Sequence, residues 1–153
     1  MNIGRYIVRF LCVSTMCMLL SCSENHKLEE LEHIKTVGNV DPHQALIMLD
    51  SLEIGIRDES SYVRNKYDLL RIRLNDKADN IPSSDIVIKK LIDYFEKKGS
   101  ICEKQEVFYY AGSVYRDLHD TPRALEYFLK SVEWAKRSID CDPIMLRNAF
   151  SKS

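Results

Sequence analysis

The sequence predicts an all-α chain assembled from antiparallel helical hairpins, and three observations predict it. Apolar residues recur at intervals of three and four along successive segments, the spacing that gathers them on one face of a helix. Five glycines and four prolines in 153 residues are few, which favours helices over sheet. The stretch from Gln105 to Ile139 divides into two amphipathic helices across a tight turn at His119-Asp120-Thr121-Pro122. The length gives room for one domain, and 45% hydrophobic with 29% charged residues is ordinary for a globular chain. A net charge of −1 provides no bulk basic field for nucleic acid.

The first residues are of a different kind. Met1 to Arg9 holds Arg5 and Arg9 with no acid, and Phe10 to Leu20 is an almost unbroken apolar run. That is the plan of a secretory signal, and the run is well short of the about 20 residues that a helical span needs. It ends in Leu19-Leu20-Ser21-Cys22, with small Ser21 directly before the cysteine at an abrupt apolar-to-polar boundary. This resembles the bacterial lipoprotein lipobox, although Leu20 is less typical there than a small residue. The resemblance implies cleavage after residue 21, lipidation of Cys22, and a membrane-anchored product; more than one acyl chain makes such an anchor stable. Removing residues 1–21 takes away two arginines and no acid, leaving 20 Lys+Arg against 23 Asp+Glu, a net of −3. Residues 22–26 then form a short polar tether, and 27–153 the helical domain.

Lys27 to Val37 places Leu28, Leu31, Ile34 and Val37 on one face, and Gly38-Asn39 ends it. Asp41-Pro42 starts the next helix, with proline at the first helical position and Ala45, Leu46, Leu49 and Leu52 following. Ser60-Ser61 opens a longer helix to Asn75 around Tyr67, Leu70 and Leu74. Polar residues 76–79 interrupt it. Ser84 and Asp85 cap a helix over Ile86–Lys98 carrying Ile88, Leu91, Ile92 and Phe95, and Gly99 stops it. Asp142-Pro143 begins a last helix, IMLRNAF.

The hairpin from Gln105 shows a more specific pattern. Its first helix carries Phe108, Ala111, Gly112 and Tyr115, and its second Ala124, Phe128, Ser131 and Val132. Small Gly112 and Ala124 let the two helices approach, while Tyr115 and Phe128 fill the space around the crossing. The order Phe108-x2-Ala111-Gly112-x2-Tyr115, then Ala124-x3-Phe128, resembles the tetratricopeptide repeat. Lys136 stands where the closing proline of that repeat falls, which predicts a second helix running longer than usual.

The resemblance implies a short right-handed solenoid with its best repeat at 105–139 and the next beginning at 143. Together with the signal and the ALIMLDSL helix, the layout is similar to the tetratricopeptide lipoproteins of Bacteroides-type bacteria. Longer members of that group add further repeats, a membrane span and sometimes a DNA-binding helix-turn-helix. The break one or two turns into a new helix raises the expectation of a shortened member, or of the sensory part of such a transmembrane regulator. The first helix of each repeat lines a groove that grips a peptide or a partner helix. Carried onto this chain, that face holds Glu106, Tyr109, Ser113 and Arg116, whose spacing of three or four supports a shared face. The implied role is a protein- or peptide-binding scaffold in the cell envelope of a Gram-negative bacterium.

Enzyme chemistry finds no foothold in the sequence. His26, His33, His43 and His119 show no metal-ligand spacing, and neither a G-x-S-x-G elbow nor a phosphate-cradling glycine loop is present. The expectation is a non-enzyme with no catalytic residue, metal or cofactor. Beyond Cys22 two cysteines remain, Cys102 and Cys141. An exported chain invites a disulfide between them. As equivalent points ahead of neighbouring repeats, however, they should stand at the helix-packing distance of about 8–10 Å, which predicts two free thiols.

Overall fold

The computed structural model describes residues 24–152, and within them the fold is all-α. Seven helices run in order, with no strand among the described residues: α1 at 24–37, α2 Pro42–Ile56, α3 Ser61–Lys77, α4 Ile86–Lys98, α5 Ile101–Asp117, α6 Thr121–Ala135 and α7 Pro143–Lys152. The stretch expected to be a secretory signal, and Cys22, lie outside the described residues. Residues 24–26, expected as tether, already belong to α1, and the Ser60 hydroxyl donates to Glu24 at 2.6 Å.

Local chemistry accounts for the helix ends. Asp41, Ser60, Ser100 and Asp120 each accept a backbone N–H from the first turn that follows them. Ser100 and Glu103 complete a reciprocal capping box, so α5 begins four residues before the expected start at Gln105. Asp85 caps α4 without a side-chain bond to the backbone, because its carboxylate is turned to Lys89 at 2.7 Å and the Tyr115 hydroxyl at 3.1 Å. His119, with φ of 61°, sits in the left-handed conformation that closes α5. There His119 N–H donates to Arg116 and Asp120 N–H to Tyr115, the paired bonds of a Schellman ending. Asp79, φ 57°, closes α3 in the same way.

α6 does not run on past Ala135. Lys136 caps it in helical conformation, its N–H bonded back to Val132, and the chain turns away through residues 137–142. The missing proline therefore lengthens nothing, since a lysine can occupy the cap as readily as the last turn.

Each helix contacts its neighbour in sequence from α2 onward, and alternate helices also touch, α3 with α5 and α5 with α7. Two cores result. One gathers Leu31, Ile34, Ala45, Leu49, Val63 and Leu74 from α1, α2 and α3. The other gathers Ile88, Leu91 and Phe95 of α4 with Val107, Phe108, Ala111 and Phe128, and reaches Met145 and Ala149 of α7. α3 serves both, giving Leu70 and Leu74 to the first and Leu69 to the second.

α5 is the axis of the larger core, buried without interruption from Gln105 to Tyr115. Its crossing with α6 depends on Gly112: a methyl group there would fall 2.5 Å from Cδ1 and 2.8 Å from Cγ of Phe128. Phe128 is 1% exposed, with Tyr109 against it, so its ring has nowhere to go. Tyr127 stacks on Tyr115 and Phe108 at ring separations of 5.4 and 6.0 Å along the same seam. Gly112→Ala gains about 1 kcal/mol of helix propensity. Overpacking costs more, leaving a net loss of about 1–2 kcal/mol. Thermal melts of Gly112→Ala, alone and with Phe128→Leu, check this; the second change should recover stability by freeing room.

The cysteines overturn the expectation of two free thiols. Cys102 and Cys141 form a disulfide with their Cα atoms 4.9 Å apart. The expected distance applied to helix axes, but Cys141 lies in the loop ahead of α7 and that loop folds onto α5. Gln105 fixes it there, donating to the Asp142 carbonyl at 2.9 Å and accepting Asp142 N–H at 3.1 Å. The Ser131 hydroxyl in turn donates to the Gln105 carbonyl at 2.9 Å, tying α6 into the same corner.

Candidate functional site

The face expected to meet a partner lies along α5, and the structure divides it into two regions. Toward the N-terminal end, helices α1 and α3 cross over it. Glu106, 8% exposed, accepts from Lys35 of α1 at 3.2 Å and from Arg73 of α3 at 3.2 Å. Arg73, itself buried, also donates to the Asn39 side chain at 3.0 Å. Tyr109 is buried and packs on Tyr110 and Phe128. Neither side chain is open to a partner: Glu106 is closed over by Lys35 and Arg73 from more than 30 residues upstream, and Tyr109 is turned in against Tyr110 and Phe128.

One turn earlier, Lys66 reaches Glu103 at 3.4 Å and the Tyr62 hydroxyl donates to Glu103 at 2.8 Å. Burial alone would raise the Glu103 carboxyl, yet the bonds from Ser100 and Tyr62 and the Lys66 charge outweigh it and hold the group below the usual glutamate range. Tyr62 is pushed up by burial and by its acceptor Glu103. Between this ladder and the start of α7 runs an open groove of about 320 Å³, lined by Lys35, Lys66, Glu103, Asp140 and Met145, with the disulfide at its side. Charges of both signs face it, which suits polar contacts with an extended chain.

The C-terminal half of α5 borders a second space. Arg116 is exposed, bridging Asp76 of α3 at 3.2 Å and its own neighbour Asp117 at 2.7 Å. Its guanidinium is held charged, first by the Asp117 bond and then by Asp76, against the opposing effect of burial. Ser113, three residues earlier, is 1% exposed and its hydroxyl has no hydrogen-bond partner. It lies in the wall of a cavity of about 330 Å³ between α3, α4 and α5. Of the four residues expected on the binding face, then, only Arg116 is at the surface and Ser113 reaches a cavity.

The six packing residues of the hairpin, Phe108, Ala111, Gly112, Tyr115, Ala124 and Phe128, are all buried at the α5–α6 crossing. All four histidines are exposed. Among the described residues no group of three or more His, Cys, Asp or Glu is placed to hold a metal ion, and no helix is long and apolar enough to cross a membrane. The residues that sequence reasoning missed are Gln105, which pins the α7 loop, and Arg73, which pairs with Glu106. Gln105 carried no sequence signal, as a glutamine mid-helix is ordinary. Arg73 falls on the same helix as apolar Leu70 and Leu74, and its burial became visible only with Glu106 opposite. Comparison of the chain with protein-family models, with curated proteins and with solved structures finds no match in any of the three.

Proposed function

We propose that this chain is a membrane-anchored tetratricopeptide-type lipoprotein that binds a protein or peptide partner in the bacterial cell envelope. The observation that carries the reading is the α5–α6 crossing, where Gly112 admits the Phe128 ring so closely that no side chain fits between. Close crossing at paired small positions is what the repeat pattern demands. Contact between alternate helices α3, α5 and α7 agrees with stacked hairpins. The groove beside α1, α3, α5 and α7, with Lys35, Lys66, Glu103 and Asp140 along it, offers polar anchors to an extended segment. Export is supported by the Cys102–Cys141 disulfide, since such bonds persist in oxidising compartments.

The test is the intact mass of the protein taken from the membrane fraction of its native host. A mass equal to Cys22–Ser153 plus a lipid group is the expected result, with Cys22→Ala released from the membrane fraction. A soluble product without lipid would remove the anchor, and a mass far larger would make these residues the front of a longer protein.

A further inference from the structure

The cavity between α3, the connection at 78–85 and α5 has the parts of a binding site that no fold requirement explains. Its volume of about 330 Å³ is within the range of small-ligand pockets. One wall is apolar, formed by Ile72, Ile88 and Val114, with Ile81 and Val87 standing at the rim. Those two rim residues are 78% and 45% exposed, a poor arrangement for side chains with nothing to cover.

The polar side of the cavity is rich in acceptors. Asp76 and Asp117 line it and share a single guanidinium, that of Arg116, so two negative charges are met by one positive charge. Asp68 and Arg71, also in the lining, are each occupied elsewhere, by Lys90 at 3.1 Å and Asp50 at 2.7 Å. Asn75 accepts from Asn80 at 2.9 Å and donates one of its two amide hydrogens to the Arg71 carbonyl. Deep in the wall is the Ser113 hydroxyl, buried and unpartnered. A buried hydroxyl without a partner costs about 1–3 kcal/mol, which a ligand that bonds to it would recover.

We propose that this cavity binds a primary aliphatic ammonium group, with its hydrocarbon chain along Ile72, Ile88 and Val114. The ammonium supplies the missing positive charge to Asp76 and Asp117, and one of its three N–H donors meets Ser113. A free diamine and a lysine side chain share this chemistry. The site stands on its own geometry and needs neither the repeat nor the lipid anchor of the function proposed above.

Titration calorimetry on the full-length protein in detergent distinguishes the possibilities, using cadaverine, Nα-acetyl-lysine N-methylamide and the neutral analogue pentan-1-ol as probes. The expected result is saturable 1:1 binding of at least one amine that weakens with salt, and binding of pentan-1-ol about tenfold weaker or less. Tighter binding of cadaverine identifies a free diamine as the source, and tighter binding of the lysine derivative identifies a side chain. Ser113→Ala should weaken the amine by about two- to tenfold. Val87→Trp, at an exposed rim position, should abolish binding while leaving the circular dichroism spectrum unchanged. No saturable binding of either amine, pentan-1-ol binding as well as the amines, or full binding by Val87→Trp would each overturn the proposal. None of these results bears on the mass measurement at Cys22.

Discussion

Cys141→Ser is expected to lower the folding stability by about 4 kcal/mol. The bond closes a loop of 39 residues, and releasing it returns to the unfolded chain the loop entropy that the crosslink withheld. The same chain-entropy relation gives that figure for a loop of this length, and the folded side changes little. Gln105 still holds Asp142 from both directions, and Met145 and Ala149 still pack in the larger core. Urea unfolding of oxidised wild type against Cys141→Ser measures it. A lower midpoint should come with a steeper denaturant dependence, because an uncrosslinked unfolded chain exposes more surface. Coincident curves would mean that the two sulfurs contribute nothing beyond the hydrogen bonds around them.

The second large effect belongs to Glu106. Glu106→Ala should cost about 3–5 kcal/mol, since it strands the buried Arg73 guanidinium without its carboxylate. Arg73 keeps Asn39, but a neutral amide does not balance a charge whose Nε already lacks a partner. Lys35→Ala should cost much less, within about 1 kcal/mol, because that ammonium is a quarter exposed and can turn to water. The decisive comparison is Arg73→Met with Glu106→Leu together. Removing both charges removes the desolvation penalty as well, so the double variant should recover most of what Glu106→Ala loses. If the double variant is as unstable as the single one, packing rather than charge explains the site.

Much of the fold was legible because helix signals are local. The α4 boundaries, Ile86 to Lys98, follow from an acidic cap ahead and Gly99 behind, and Pro42 marks the start of α2. The start of α5 carries a signal too, Ser100-x-x-Glu103, whose two side chains bond within one turn, but the helix was expected only from Gln105. The close of α6 was not legible, since the absence of a proline is compatible with either continuing or stopping. What lay beyond local signals was every pairing across helices. The placement of Glu106 and Tyr109 on an open face treated α5 as having one covered side, but Lys35 of α1 and Arg73 of α3 close over Glu106, and Tyr109 packs inward on Tyr110 and Phe128. The cysteine distance failed for a related reason: spacing between helices says nothing of a loop that bends inward to be met by Gln105. The Ser113 cavity was partly visible, as a serine on the expected face. Its isolation from any partner depends on the path of residues 78–85.

The sharing of α3 between two cores sets how this protein can come apart. Neither the α1–α2 pair nor the α4–α7 group owns a complete hydrophobic interior, because Leu70 and Leu74 point one way from the helix and Leu69 the other. Opening one end therefore strips a face of the helix that the other end needs. Partial unfolding is therefore expected only at the outermost elements, and hydrogen exchange should release the α3 amides only when the molecule unfolds as a whole.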